Sequence, residues 1–304
     1  KLITFPVNKI VLEGCDLSGK TTLYNEIHKK SGFRWNIDDR SGISMCVYSK
    51  LYDRDDFFHR SNLHLEMSNL NNQFVLLYPD IHTIHERFLS RGDEAQNMSS
   101  LSDLHVLFGK ELERYCMLPN FHVLQTGESA DQAQEITKRL RDLEGIDPKT
   151  IGNYVKEFAK FQPNRESTTL QFHFYDNGAF SSVNDAILLT PGEEDYYRSI
   201  RSKLLIKIEK ELQGDNRYNR RETAESRRFV YAGEECIAFI QAIFRGDLLD
   251  IHAVFRSSDA ERKTGTDIQL IHMLGRDIYN MLGLKRGKHK ARFRFNINSA
   301  HILS

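Results

Sequence analysis

The sequence of 304 residues lacks most of the features that narrow function from composition alone. Its four cysteines, Cys15, Cys46, Cys116 and Cys236, have no CxxC spacing, so neither a zinc site nor a disulfide framework is indicated, and each is expected to be a buried thiol. Lys plus Arg and Asp plus Glu both number 42, giving a formal net charge of zero, so nothing draws the whole chain toward nucleic acid or a membrane. No apolar run approaches the length of a membrane span, and the opening residues lack a signal-peptide pattern. A cytoplasmic protein with no membrane partner is expected. The hydrophobic share of 40% and charged share of 28% suit a globular chain long enough for two domains.

Residues 9–22 read KIVLEGCDLSGKTT, an apolar strand running through GxxxxGK[ST] into an amphipathic segment. That spacing describes a phosphate-binding loop. Successive backbone N–H groups and the positive end of the following helix cradle phosphates, the lysine reaches the β- and γ-phosphates, and the hydroxyl joins a Mg²⁺ shell. ATP and Mg²⁺ are the expected cofactors. Gly14, Asp16, Ser18, Gly19, Lys20, Thr21 and Thr22 form the site, with Lys20 on the phosphates and Thr21 on the metal.

Downstream, the pattern predicts a helix over 22–30, a strand over 33–38 and a buried parallel strand over 74–78. Pro79-Asp80 opens a helix through Arg87 to Arg91, followed by a strand at 121–124 and a helix at 130–143. Strands alternating with helices predict a parallel sheet. Asp39 and Arg40 close the second strand, at the sheet edge where ligands collect, so Asp39 suits a metal or substrate hydroxyl and Arg40 a phosphate. A helix cap beside a surface arginine is the alternative reading.

Glu13-Gly14, Asp16, Ser18 to Thr22, the Asp39-Arg40 pair and the strand-Pro-Asp-helix ending in Arg87 and Arg91 resemble the thymidylate kinase branch of nucleoside monophosphate kinases, over about residues 8–145. The resemblance implies that Arg87 and Arg91 meet the donor nucleotide near a mobile lid, and that catalysis is positioning plus charge neutralisation of a transferring phosphoryl group. Only a short helix separates the loop from Asp39, where that family has a longer acceptor-binding segment. An open acceptor site, able to take a nucleotide inside DNA, is one implication.

Asp147-Pro148 and Gln162-Pro163 punctuate a join over 146–165, giving domains at 1–148 and 149–304. Beyond it come Phe172/Phe174 alternation, a helix over 194–212, strands over 237–244 and 251–255 about Gly246-Asp247, and a helix over 267–282. Lys285, Arg286, Lys288, Lys290, Arg292 and Arg294 form a basic run interleaved with Phe293 and Phe295. It fits either a charge-protected edge strand or a polyanion-binding stripe.

Cys236, followed twenty residues later by Arg256-Ser257-Ser258-Asp259 across an antiparallel pair, resembles thymidylate synthase and the related deoxycytidylate hydroxymethylases. The resemblance implies Cys236 as nucleophile, and Arg256 and Ser257 on a substrate 5′-phosphate. It also implies that Arg227 and Arg228 reach the same phosphate across a homodimer interface, with His301 on the ribose and Asp259 on the side of a folate cofactor. Asp267 falls where the synthases carry a uracil-reading Asn and the cytosine-using relatives an Asp, which points to dCMP over dUMP. Glu209 and Glu211 are the helical candidates for the family's catalytic Glu. The position two after His301, usually Tyr, is Leu303, and the sequence stops at Ser304 without the tail that closes over folate, so a domain shortened at its C-terminus is expected.

The sequence thus predicts an α/β protein in which a P-loop kinase-like parallel-sheet domain is followed by an α+β synthase-like domain. The expected function is phosphoryl transfer from ATP to a pyrimidine deoxynucleoside monophosphate, fused to a dCMP/dUMP-binding domain. Two rivals are a kinase acting on a modified pyrimidine in DNA and a non-catalytic assembly protein built on nucleotide folds.

Overall fold

The computed structural model describes residues 3–91, 96–125, 129–177, 180, 189–213 and 229–302. The chain divides into two compact units: Val7–Glu144, and Lys1–Pro6 together with Gly145–Ser304. The short strand β1 (Ile3–Thr4) belongs to the latter and is taken up with it.

The unit Val7–Glu144 contains β2 (Lys9–Glu13), α1 (Lys20–Ser31), β3 (Ile37–Asp39), α2 (Gly42–Leu51), α3 (Phe57–Met67), β4 (Asn72–Leu77), α4 (Ile81–Arg91), α5 (Met98–Tyr115), β5 (Phe121–Leu124) and α6 (Ser129–Leu143). Its four strands run in the order β3-β2-β4-β5 and every pairing is parallel. All six positions of β4 are buried, as a strand covered on both faces requires. Leu23 and Ile27 of α1 and Ile136 and Leu140 of α6 close over Ile10 and Leu12 of β2. Each such side chain stabilises by roughly 1.5–3 kcal/mol on burial. This core fixes β2 centrally, with its carboxyl end leading into the loop. β3 begins at Ile37 rather than at residue 33. Gly32 and Phe33 both adopt left-handed backbone, at φ of 66° and 58°, so the chain turns there and leaves Phe33 exposed.

The second unit contains α7 (Pro148–Lys160), β6 (Glu166–Asp176), α8 (Pro191–Gln213), β7 (Val230–Ala232), β8 (Ile237–Arg245), β9 (Leu248–Phe255), β10 (Ser258–Asp259), α9 (Thr264–Met281) and β11 (Lys290–His301). Its sheet runs β1-β6-β11-β9-β8-β7, with β10 beside β11. β11 is parallel to β9 and β10, and the remaining neighbours are antiparallel. Phe172 stacks on Phe295 at 4.8 Å and Phe174 on Phe293 at 5.0 Å, building the apolar face. α7 and α9 approach so closely that a Cβ on Gly152 would stand 2.5 Å from the Gly265 Cα.

Two expectations are corrected here. Residues 148–160 of the expected join form a helix, because Pro148 occupies its first turn, where its missing N–H is no loss, and Asp147 caps it by accepting from the Thr150 N–H at 2.7 Å. Ile151, Val155 and Phe158 are buried. The basic run is not an edge strand, since β11 lies between β6 and β9 with its phenylalanines in the core. Arg292 and Arg294 both bind Asp250, at 2.8 and 2.9 Å. Burial works against that carboxylate, but the two guanidiniums outweigh it and hold it below its ordinary range. No helix among the described residues is long and apolar enough to cross a membrane.

Candidate functional site

The loop after β2 is shaped by two glycines. At Gly14, with φ of +140°, a Cβ would come 2.6 Å from the Leu77 carbonyl oxygen and 2.8 Å from Ser18 Oγ. Gly19, at φ of +104°, starts α1 with no side-chain cap and no acidic residue in the first turn. The first amides of α1 and the positive end of its dipole are therefore left to an anion. Ser18 Oγ is buried without a hydrogen-bond partner, a polar atom awaiting a ligand.

Lys20 folds over the loop, its Nζ donating to the carbonyls of Gly14 at 2.6 Å and Cys15 at 2.9 Å. Burial pulls its pKa down, while the charges of Asp39 and Asp16 oppose the shift. Arg87, from α4, donates to the Leu17 carbonyl at 2.8 Å and so reaches the loop. Arg91, the last residue of α4, is exposed. Thr21 and Thr22 are exposed on the first turn of α1. A pocket of about 140 Å³ adjoins the loop, bounded by Ser18, Asp80, Thr83, Arg87, Gln125 and Ser129. Among the described residues, no group of three or more His, Cys, Asp or Glu is gathered for a metal. Mg²⁺ in a phosphate site takes most of its ligands from phosphate and water and asks one or two of the protein.

On the other flank, Asp16 accepts from Arg40 Nη2 and from the Tyr48 hydroxyl, both at 2.8 Å. Arg40 has φ of 76°, and its guanidinium lies 5.1 Å over the Tyr48 ring. Glu13, fully buried, accepts from the Ser41 N–H at 2.6 Å and from the hydroxyls of Ser41 and Ser44. Burial pushes its pKa up, and those hydrogen bonds together with Lys20 work against the shift. Ser41 also caps α2 through the Ile43 N–H at 3.2 Å. Asp39 is exposed at the end of β3 and caps nothing. Ser41, Ser44 and Tyr48 were missed from the sequence, although Tyr48 and Tyr52 stand one helical turn apart, a spacing that signals a shared face.

In the second unit, the Arg256 N–H donates to the Cys236 carbonyl at 2.8 Å, so the β8–β9 hairpin brings the two ends of the twenty-residue interval together. Cys236 is exposed, as is Cys116, correcting the expectation of four buried thiols; Cys15 and Cys46 are buried. The Arg256 guanidinium binds the carbonyls of Gly233 and Glu234. The Tyr196 hydroxyl accepts from the Ile237 N–H at 3.3 Å, and burial pushes its pKa up to about 12. Asp267 accepts from Ser258 Oγ at 3.0 Å. Burial pushes its carboxyl up to about 6, against the Ser258 hydrogen bond and the Lys263 charge.

Asp259 spends one carboxylate oxygen on the N–H groups of Glu261 and Arg262, each at 3.0 Å, holding a turn. It pairs in register with His301, whose Nδ1 lies 3.4 Å from Ser299 Oγ. Ser257 lies between Arg256 and Ser258 and is partly exposed. Glu209 is exposed and accepts from Gln213 at 2.9 Å, one turn on in α8, and so is engaged on the surface. Arg227, Arg228 and Leu303 lie outside the described residues.

No protein-family profile matches the chain, and no curated protein matches it. Among solved structures, the chain is similar to deoxyadenosine kinase from M. mycoides, solved with dCMP and dCDP bound, with a TM-score of 0.33, 15% identity, and coverage of 44% of this chain and 99% of that one. It is also similar to thymidylate synthase from T4 phage, with a TM-score of 0.26, 14% identity, and coverage of 39% of this chain and 50% of that one. The chain therefore spans about half the length of that synthase. By its own topology, the chain is a mixed α/β protein: a parallel-sheet unit carrying a P-loop, then a mixed-sheet unit.

Proposed function

We propose that the unit Val7–Glu144 binds Mg²⁺-ATP and transfers its terminal phosphoryl group to a pyrimidine deoxynucleoside monophosphate. The observation that carries this reading is the joint state of the loop: an uncapped α1, a buried Ser18 Oγ without a partner, and Lys20 closed onto the loop's own carbonyls. Lys20 would exchange the Gly14 and Cys15 carbonyls for phosphate oxygens, and Ser18 Oγ and the first α1 amides would donate to them. Thr21 would supply the protein's hydroxyl to Mg²⁺, whose part is to neutralise phosphate charge. Asp39 would orient the acceptor or the metal's water shell. Arg40 and Arg87, reaching the loop from opposite flanks, would steady the charge spreading over the transferring group. Arg91, the exposed last residue of α4, would meet the donor nucleotide.

The second unit is read as a pyrimidine nucleotide site that prefers dCMP, favoured by the carboxyl of Asp267 pushed up to about 6. A protonated carboxylic acid donates to cytosine N3 and accepts from its amino group. Cys236 as nucleophile, Arg256 and Ser257 on the phosphate, His301 on the ribose, folate as co-substrate and a homodimer through this unit complete the reading, as does the cytoplasmic location expected from the sequence. Calorimetry with Mg²⁺-ATP, alongside transfer of labelled phosphate to free deoxynucleoside monophosphates, tests the first unit. Lys20→Ala should abolish both signals. Equal ATP affinity in wild type and variant overturns the reading, and failure of the wild type to bind any nucleotide favours the assembly protein instead.

A further inference from the structure

α2 meets the loop after β2 through one face. Ser41 caps the helix, Ser44 lies in its first turn and Tyr48 follows one turn later, so the three hydroxyls share a side. Those of Ser41 and Ser44 go to Glu13, and that of Tyr48 goes to Asp16 at 2.8 Å. A single helix therefore grips the loop by a carboxylate on each side of Gly14 and Cys15.

Asp16 divides its two oxygens, Oδ1 accepting from Arg40 Nη2 at 2.8 Å and Oδ2 from the Tyr48 hydroxyl. The Arg40 guanidinium also lies 5.1 Å over the Tyr48 ring, so arginine, carboxylate and phenol close a triangle. Tyr52 backs it, stacked on Tyr48 with centroids 6.4 Å apart. Burial and the Asp16 hydrogen bond push the pKa of the Tyr48 hydroxyl up, which keeps it a donor. The Arg40 backbone is held as well, its N–H donating to the Leu12 carbonyl at 3.0 Å and its φ of 76° uncommon for any residue but glycine. The guanidinium's field reaches the loop, for burial lowers the Lys20 pKa and the Arg40 charge adds to that fall. The side chains of Asp16 and Arg40 are 19% and 43% exposed, and an ion pair so open to water holds a long side chain only weakly. What fixes the guanidinium is the ring beneath it and the phenol that pins its carboxylate.

We propose that Tyr48 is the positioning residue of Arg40, holding the guanidinium at the flank of the loop for the terminal phosphate of the nucleotide without touching substrate itself. The proposal deepens the kinase reading and rests on it for the reaction that Arg40 serves. A guanidinium fixed in advance needs no reorganisation when charge develops before it. Losing Tyr48 should therefore lower turnover and leave ATP affinity alone.

The test is a double-mutant cycle on turnover, with calorimetric ATP affinity and the urea midpoint measured for every variant. Tyr48→Ala should lower kcat about a hundredfold, and Tyr48→Phe, which keeps the ring under the guanidinium, about tenfold. ATP affinity should stay within about twofold of wild type in both. In an Arg40→Ala background, Tyr48→Ala should cost less than about twofold more, because the group it positions is gone. Should Tyr48→Ala fail to fold, Tyr48→Phe carries the same cycle. Equal losses in the two backgrounds overturn the proposal, since a merely structural tyrosine acts whether or not Arg40 is present. So does an unchanged kcat, or a fall in ATP affinity that matches the fall in kcat. A wild type that transfers no phosphate ends the kinase reading and leaves the positioning to crystal structures of wild type and the Tyr48 variant. A guanidinium still paired with Asp16 in the variant overturns it, and one that has left Asp16 supports it.

Discussion

Glu13 and Ser41, 28 residues apart in sequence, are joined at the root of the GxxxxGK[ST] loop, where the Ser41 N–H donates to the buried Glu13 carboxylate at 2.6 Å. The same carboxylate takes the hydroxyls of Ser41 and Ser44, so one acid fixes the loop's entry, the cap of α2 and the backbone beside Arg40.

Glu13→Ala should therefore destabilise the chain, because it leaves the half-buried Ser41 amide and two hydroxyls without acceptors. The expected loss is about 1–3 kcal/mol in urea unfolding of the Val7–Glu144 transition, with Glu13→Gln losing less because it keeps one acceptor oxygen. An unchanged midpoint for Glu13→Ala would show that the network contributes nothing net.

At Gly14 the constraint is steric. Alanine there must meet the Leu77 carbonyl and Ser18 Oγ at under 3 Å, in a backbone region that side chains avoid. Gly14→Ala should lose about 1–3 kcal/mol of stability and its ATP heat signal together. Wild-type ATP affinity in this variant would mean that the loop has another resting shape.

Asp267 sets a pH dependence whose sign follows from its environment. Its carboxyl is pushed up to about 6 from an ordinary value of 3.8, so the fold favours the protonated acid. The associated stability is fully present below about pH 4 and is lost as pH rises to about 6, amounting to about 3 kcal/mol. Asp267→Asn should flatten that slope when urea midpoints are compared at pH 4, 5 and 7. A slope that survives the substitution assigns it to another group.

The same side chain should decide base preference. Asp267→Asn should shift affinity from dCMP toward dUMP by roughly ten- to a hundredfold, and wild-type dCMP binding should weaken above pH 6 as the acid ionises. Titration of both nucleotides into both proteins, with no catalysis required, decides it. An unchanged ratio ends the assignment.

A homodimer through the second unit is expected, since the arginine pair at 227 and 228 resembles residues lent to a neighbouring subunit. Light scattering should give a mass near twice 35.4 kDa. A monomer mass at all concentrations would contradict it.

The P-loop was legible because its chemistry is local: Gly14, Gly19 and Lys20 act within a few residues, and the neighbouring strand β4 carries the continuous apolar run at 74–77. β11 was not, because charges alternating with phenylalanines look alike at an edge and in a sheet whose second face is polar; only Asp250, forty residues earlier, marks the difference. α7 was hidden by Pro148, which reads as a breaker until Asp147 is recognised as a cap. The exposure of Cys236 and the turn-holding role of Asp259 depend on which backbone groups face them, and spacing alone does not encode that. Glu13 was visible as a motif letter, but its partners Ser41 and Ser44 arrive from a separate helix.

β1 has a consequence for how the chain comes into being. Ile3 and Thr4 are made before the P-loop unit, yet their partners, Asp176 and Tyr175, are made only after the whole of it. Synthesis thus leaves the opening segment waiting while Val7–Glu144 acquires all of its own strands. The P-loop unit is, in chain order, an insertion inside the other one, after its first strand. A fragment that starts at Val7 keeps every P-loop contact described above but leaves β6 paired only with β11, so removal of Ile3 and Thr4 should be felt in the second unit.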